Sequence, residues 1–535
     1  MNLIHDAWLT VRRKNGDRET IAPWQITQNP AGNPIVALDT PRADFNGALM
    51  QFLIGLVQTT CPPKTEEDWP DWLEEPPAPE PLKAAFAPVL EAFELDGDGP
   101  RFMQDVALTK GEEKSIGALL IEYPGEQTLK ENKDHFIKRG GVEGMCPACA
   151  ASALFTLQTN APSGGAGHRT GLRGGGPLTT LVAGRTLWET VWLAVLPRND
   201  FFTPAYGNPD LTALADRFPW MGATRTSEAQ TGRETVPQDV HPAQIYWAMP
   251  RRIRLDFTQP KGTCDVCGGE TQGLASSYTT QNYGVNYASN APWRHPLTPY
   301  SGEPTALLPQ HGQPGGLGYR HWMGLVLEEA SDGAKPRIKQ PGVVVSQFRA
   351  TRQERWESLS DNPGNVRLWA FGYDMDNMKA RCWYEGTLPL YQVKNDPEKA
   401  FELTVGAMVR AADSVKGNLR QAVRNAWFDK GATVKGDFSF VESMFWGSTE
   451  GQFYAHLAIL SGDTSQLVRD KEKTEWHTFL CKTALNVFDQ VALSGHFAEE
   501  NPERLVWARK DLNSFNHGRR IRETLLNLPQ KNQPK

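Results

Sequence analysis

Seven cysteines stand in the 535-residue chain, and four of them form two Cys-x-x-Cys pairs, Cys146-Pro-Ala-Cys149 and Cys264-Asp-Val-Cys267. A pair of thiolates on a tight turn presents two sulfurs to one cation. Two such pairs supply the four ligands of a tetrahedral zinc and leave no position open for water, so the expected cofactor is a structural zinc. More than a hundred residues lie between the pairs, where paired knuckles are ordinarily separated by roughly 15 to 20. The fold must therefore bring the halves together. Cys-Pro-Ala-Cys also reads as a dithiol whose depressed thiol pKa does redox work. The competing reading is thus a zinc- or dithiol-dependent enzyme of unknown substrate, although no βαβ context is evident around the motif.

A second constellation is Ala161-Pro-Ser-Gly-Gly-Ala-Gly-His-Arg-Thr-Gly-Leu-Arg-Gly-Gly-Gly176. Its glycines let backbone approach a ligand closely, while His168, Arg169 and Arg173 offer positive charge. No Gly-Lys-Ser/Thr follows at Walker spacing, and the Gly-x-Gly-x-x-Gly register of a dinucleotide site is missing. The plainer reading is an exposed loop with solvated arginines. A third element is a hairpin from Val366 to Tyr384, with Trp369, Phe371, Tyr373 and Trp383 on its arms and a polar tip from Asp374 to Lys379. Its two carboxylates read as turn residues before they read as metal ligands. Neither a His-Glu-x-x-His helix nor a Gly-x-Ser-x-Gly elbow, P-loop or kinase set occurs. Binding is favoured over catalysis, and no catalytic residue is assigned.

These groups need a large scaffold. A chain of this length exceeds what one core supports. With 39% hydrophobic and 22% charged residues it reads as an ordinary globular protein. A net charge of -6 argues against coating by nucleic acid through bulk attraction, so any such contact is local. No apolar run is long enough for a membrane span, and the charged start MNLIHDAWLTVRRKNGDRE lacks the apolar core of a secretory signal. The expected location is cytoplasmic, with no membrane partner. Trp8 to Arg13 and Glu19 to Ile21 flank Asn15-Gly16 and predict a hairpin with a type I′ turn. The proline- and acid-rich residues 62–81 predict a surface insertion or ordered loop with solvated charge. Short β-rich runs such as Thr-Thr-Leu-Val-Ala-Gly and Gly-Val-Val-Val-Ser-Gln-Phe alternate with Gly/Pro connections up to about residue 390.

The fold class is therefore α+β. Residues 1–393 form one large, irregular mixed domain carrying the cysteines, glycine loop and hairpin, and residues 394–535 form a four-helix bundle. The bundle rests on helical spacing in Phe401, Val405, Met408, Val409 and Ala412; in Phe453, Leu457 and Leu460; in Trp476, Phe479, Leu480, Ala484, Val487, Phe488 and Val491; and in Leu505, Ala508, Leu512 and Phe515 after the cap Asn501-Pro502.

The combination resembles the CasA family, the large subunits of type I-E Cascade CRISPR surveillance complexes. The resemblance is carried by the start Met-Asn-Leu-Ile-His-Asp-x-Trp-Leu-x-Val, by Gly171-Leu-Arg-Gly-Gly-Gly-Pro-Leu-Thr-Thr-Leu-Val182 and by the paired cysteine motifs. A Val343-Val-Val-Ser-Gln-Phe-Arg349 strand and the terminal bundle complete it, in order along nearly the whole chain. It implies a non-catalytic subunit that reads the protospacer-adjacent motif (PAM) of foreign double-stranded DNA from the minor groove, whose pattern is degenerate. It also implies help in opening the duplex for guide pairing. Carried over by position, the glycine loop on DNA is Gly164, Gly165, Ala166 and Gly167, and the DNA wedge is Asp376, Asn377 and Met378, with Asn377 where the best-known member carries a glutamine. The loop touching the guide RNA handle contains Phe136, Ile137 and Lys138. The lysine that the family extends into the groove has no counterpart in residues 276–290, where Asn282 or Tyr283 lies nearest. The implied partners are the other Cascade subunits, the CRISPR guide RNA, the target DNA and a helicase-nuclease. A pure assembly scaffold without DNA contact is the remaining alternative.

Overall fold

A computed structural model describes residues 1–132, 140–228, 232–257, 259–331, 336–359, 366–376, 379–391, 398–428, 436–492 and 501–528. It resolves into two compact units. The first comprises Met1–Pro314, Ser331–Asp361 and Leu368–Glu385; the second comprises Gly315–Ala330, Asn362–Arg367 and Gly386–Lys535. Mixed helices and strands precede a helical C-terminal region, as the α+β reading expects. No helix among the described residues is long and apolar enough to cross a membrane.

The first unit is organised around the Ala43–Thr60 helix, whose side chains are buried on every face from Phe45 to Val57. A helix that is apolar all round must be a core helix. Phe52 at its middle receives the rings of Trp8, Phe93, Phe102, Phe155 and Trp247 edge-on, with centroids 5.5 to 5.8 Å away. Edge-to-face packing of this kind adds to burial, and truncating Phe52 to Ala would cost about 3–5 kcal/mol. Gly47 on the same helix admits the hairpin, since a Cβ there would stand 2.8 Å from Trp383 and 2.9 Å from Phe371.

Around this helix lie small sheets. Leu9–Arg13 pairs with Arg18–Ile21 on one side and Ile35–Leu38 on the other. Ser277–Gln281 lies antiparallel between Glu112–Ser115 and Arg252–Asp256. Gln259–Thr263 and Glu270–Leu274 form a hairpin of their own, and Arg367–Asp376 lies between Lys379–Pro389 and Thr179–Ala183.

Three local expectations are corrected. The first hairpin forms, but only Gly16 has positive φ (+94°), and Gly16 N–H donates to Arg13 O at 2.9 Å. This is a longer turn ending in a left-handed glycine, not type I′. Residues 343–349 are not a strand: Val343–Gln347 is an α-helix continued by a wide turn at Phe348–Arg352. Three consecutive valines favour β structure, but tertiary contact overrides propensity here. Arg352 is fully buried, donating to Glu66 at 2.7 and 2.8 Å and to Val195 O at 3.0 Å, with its guanidinium 4.4 Å from the Trp69 ring centroid. The same pair corrects residues 62–81, which contribute the buried Trp69 and Leu73 and a carboxylate engaged by a buried arginine. Burying Arg352 demands such a partner.

In the second unit, Glu398–Trp427 packs against each of Ser439–Gly462, Gln466–Ala492 and Pro502–Asn516. The apolar positions named from spacing are buried, apart from Phe479 and Phe515. Phe515 is 61% exposed. The stripe Leu505, Ala508, Leu512 advances four residues to Asn516, whose carbonyl accepts from His477 Nε2 at 2.8 Å and whose Oδ1 accepts from Asn418 at 2.9 Å. Asn501 caps this helix, its Oδ1 accepting from Arg504 N–H at 3.0 Å.

Candidate metal centre and nucleic-acid interface

Cys146 is the N-cap of the Pro147–Asn160 helix, Pro147 fills the first position, and Cys149 N–H donates to the Cys146 sulfur at 3.4 Å. Both thiols thus sit at a helix N-terminus, where negative charge is favoured. Cys264 and Cys267 occupy the turn of the Gln259–Thr263/Glu270–Leu274 hairpin. There Gly268, at φ +73°, lets its N–H donate to Cys264 O at 2.8 Å while Cys264 N–H donates to Gly269 O at 2.9 Å. The halves are clipped together by Asp265. Its Oδ2 accepts from the N–H groups of Glu143 and Gly144, both at 2.8 Å, and its own N–H donates to Gly144 O at 2.9 Å. Met145 and Ala275 exchange two further backbone bonds at 2.9 Å.

The four sulfurs lie within 4.8 Å of one another, with Cys146 and Cys267 at 3.8 Å. Ligand bonds of about 2.3 Å in a tetrahedron require sulfurs about 3.8 Å apart, so the cluster has the dimensions of a four-thiolate zinc centre. The thiols also resist joint ionisation. Sulfur hydrogen bonds from Cys146 and Cys149 hold Cys264 far below an ordinary thiol, whereas Cys146, Cys264 and burial push Cys149 far up. A divalent cation would relieve that conflict by stabilising all four thiolates together. Elsewhere, burial raises Cys61 to about 11 and Cys481 to about 12, so neither is a thiolate at neutral pH.

The glycine loop leaves the far end of the Pro147–Asn160 helix. Gly165 (φ +82°) and Gly167 (φ +77°) occupy the left-handed region for different reasons. A Cβ on Gly165 would meet nothing within 4 Å, whereas one on Gly167 would stand 2.9 Å from Asn282 Cβ and 3.0 Å from the Tyr283 ring. Asn282 Nδ2 donates to Ala166 O at 2.9 Å and Tyr283 N–H to Gly167 O at 2.8 Å. The loop's base is therefore tied down, while the space where a Gly165 side chain would stand is open. Beside the loop is a cavity of about 430 Å³ lined by Lys114, Tyr123, Ser163, Gly164, His168 and Asn282 among others.

The cations named from sequence have separate fates. Arg169 donates to Ser227 Oγ at 2.8 Å and to Ser227 O at 3.1 Å, with its guanidinium 6.0 Å from the Tyr283 ring. Burial, Arg251 and Lys114 bring His168 down to about 4, so it is neutral at pH 7 and pairs with Arg251. Arg173 does not face a ligand at all. It is 3% exposed and donates to Gln51, to Thr179 at 3.1 Å and to Thr298 at 2.9 Å.

The expected aromatic hairpin forms from Arg367–Asp376 and Lys379–Pro389. Tyr373 and Phe371 lie 5.0 and 5.6 Å from Trp383, and Tyr373 Oη donates to Asp44 Oδ2 at 2.6 Å. Arg381 takes Asp374 at 2.8 and 3.1 Å and approaches Asp376 at 3.5 Å, so both carboxylates are engaged across the hairpin. Asp376 ends the first strand; Asn377 and Met378 lie outside the described residues, as do Phe136, Ile137 and Lys138. Gly176 carries the glycine segment onto the hairpin, since a Cβ there would stand 2.8 Å from both Tyr373 and Met375. Sequence reasoning missed Asp265, whose place between two paired cysteines was its signal. It also missed Arg251, which carries no local signal.

The fold of this chain, a mixed unit and a helical unit, is similar to that of solved CasA and Cse1 structures. CasA of Thermus thermophilus superposes with a TM-score of 0.67 at 18% identity, covering 96% of this chain and 99% of that one. Cse1 of Thermobifida fusca gives 0.71 at 16% identity and 98% of each chain. A chain of a CRISPR RNA-guided surveillance complex gives 0.65 at 16% identity, covering 97% and 99%. The sequence matches the family model of CRISPR-associated protein Cse1 over residues 2–487, and the chain belongs to that family.

Proposed function

We propose that this protein is the non-catalytic large subunit of an RNA-guided, Cascade-type surveillance complex, reading the protospacer-adjacent motif of double-stranded DNA through its glycine loop. The observation that carries the proposal is Gly165: left-handed, with open space where a side chain would stand, on a loop whose next residues are anchored by Asn282 and Tyr283. Backbone presented in this way suits a groove that side chains would keep at a distance. Family membership and the likeness to a surveillance-complex chain support assembly with other Cascade subunits and guide RNA. In this reading Gly164, Gly165, Ala166 and Gly167 lie against the groove. The hairpin tip Asp376, Asn377 and Met378 parts the first base pairs at a cost of a few kcal/mol, and Phe136, Ile137 and Lys138 contact the guide RNA handle. Cys146, Cys149, Cys264 and Cys267 hold a structural zinc, and the helical unit receives the helicase-nuclease.

The test is gel-shift affinity of the reconstituted complex, with and without this chain, on duplexes carrying a randomised motif at one stated salt concentration. Chain-dependent enrichment of particular motifs is the expected outcome. Chain-independent binding makes the protein a scaffold. Zinc analysis with thiol titration separates the enzyme alternative: one zinc with four protected thiols is expected, and a reversible disulfide without metal overturns the structural site.

A further inference from the structure

Besides the four cysteines, one other group of metal-ligating side chains occurs among the described residues, and it lies in the helical unit: His456, Glu472 and Glu475. His456 projects from Ser439–Gly462, and the two glutamates project from one face of Gln466–Ala492, three residues apart. A ligand atom from each lies within 4.8 Å of the others. His456 and Glu472 are buried, and Glu475 reaches the surface. His456 Nδ1 and Glu472 Oε2 are 2.6 Å apart, and His456 Nε2 lies 3.2 Å from the Gln452 amide, which fixes the ring.

The second carboxylate oxygen, Glu472 Oε1, is buried and receives no hydrogen bond. The nearest cation is the ammonium of Lys471, 3.8 Å from that oxygen and 3.9 Å from Glu475 Oε1, on a side chain 63% exposed. A fully buried carboxylate oxygen with no donor is an unfavourable arrangement unless something positive completes it.

We propose that His456, Glu472 and Glu475 form a second metal site, for a divalent transition ion, bridging two helices of the helical unit. One imidazole and two carboxylates make a mixed nitrogen and oxygen donor set that suits zinc, manganese, cobalt or iron, whereas calcium and magnesium prefer oxygen alone. Binding puts the ion on His456 Nδ1 and displaces the Lys471 ammonium, while the ring proton passes from Nδ1 to Nε2 and donates to the oxygen of the Gln452 amide once that amide turns over. The ion then ties Ser439–Gly462 to Gln466–Ala492.

The full-length protein, with its cysteine cluster loaded with zinc, is titrated with Co²⁺ and followed by visible absorption and by elemental analysis after desalting. Cobalt held by nitrogen and oxygen lacks the intense sulfur-to-metal charge transfer of a thiolate site, so the two centres are told apart. One equivalent beyond the cysteine cluster is expected, resistant to Mg²⁺. Glu475→Gln, at the surface and so leaving the fold intact, weakens it tenfold or more, and Lys471→Ala tightens it. Glu472→Gln abolishes it, with circular dichroism as the folding control. Absence of the extra equivalent in the wild type, or undiminished binding in Glu475→Gln, overturns the site and leaves a hydrogen-bonded histidine–glutamate pair.

Discussion

Replacing Gly165 by Val separates the role of the loop's backbone from the role of its packing. In the free protein the substitution meets no steric obstacle, because nothing lies within 4 Å of the position a Cβ would take. Its cost is conformational: at φ +82° an L residue is strained by about 1–2 kcal/mol, and a branched one lies at the upper end. That local strain leaves the bulk of the fold alone. With the loop against the groove as proposed, the same side chain would stand between backbone and base edges. Losing one good groove contact costs about 1–3 kcal/mol, which at 1.4 kcal/mol per decade is a loss of about 5- to 150-fold. The assay is competitive gel shift of the reconstituted complex on motif-bearing and motif-free duplexes at fixed salt, since phosphate contacts alone change with salt. The expected result is weakened binding confined to the motif-bearing duplex, with assembly unchanged and Gly165→Ala intermediate. Wild-type affinity in the Val variant, or equal loss on both duplexes, refutes the reasoning. Gly167 is unsuitable for this test, because a Cβ 2.9 Å from Asn282 displaces the loop's own support.

Asp265→Ala removes two 2.8 Å bonds between the cysteine-bearing segments, worth about 1–3 kcal/mol together; it should speed extraction of zinc by a chromogenic chelator, as loss of such supporting bonds costs about 10- to 100-fold in affinity, and unchanged extraction refutes the clip. His168, held down to about 4 chiefly by burial, lies below its unfolded value near 6.5. The unfolded chain therefore takes up that proton first, and stability falls as pH drops from about 6.5 to 4. After allowing for solvent screening this amounts to about 1–2 kcal/mol, and His168→Gln should remove it from the pH dependence of the urea midpoint; an identical acid limb refutes the assignment. Asn377→Ala should weaken binding to intact duplex while leaving near-normal affinity for targets already melted at the motif, and equal losses on both substrates argue against a wedge.

The parts of the molecule legible in its sequence are those whose cause is local. Each Cys-x-x-Cys pair announces two neighbouring thiols by itself, and the C-terminal helices announce their apolar stripes by spacing. In the last helix the stripe misleads at Phe515, because the helix continues its buried face through the polar Asn516, which hydrogen bonds to two neighbouring helices. Arg173 was illegible for the opposite reason. Its charge in a glycine-rich run suggests a ligand, but two of the partners that surround it, Gln51 and Thr298, come from distant segments, and only Thr179 is near in sequence. Residues 343–352 follow the same rule: local valine-rich propensity predicts a strand, and the long-range demand of burying Arg352 on Glu66 and Trp69 makes a helix.

The connection between the cysteine cluster and the glycine loop follows from how the chain leaves each pair of thiols. From Cys146 and Cys149 it runs along the 14-residue helix Pro147–Asn160, about 21 Å of rigid rise, and enters the glycine loop at Ala161. From Cys264 and Cys267 it returns through Glu270–Leu274, continues in Ser277–Gln281 and reaches Asn282 and Tyr283. The two paths that meet at the sulfurs meet again where Asn282 and Tyr283 donate to the carbonyls of Ala166 and Gly167. A closed loop of covalent chain and hydrogen bonds therefore has the thiol cluster at one end and the left-handed glycines at the other. Slippage of one path against the other at the cysteines would move Tyr283 relative to Gly167 and stretch the 2.8 Å hydrogen bond between Tyr283 N–H and Gly167 O. The cysteine cluster can in this way determine whether a backbone loop some 20 Å away keeps its shape.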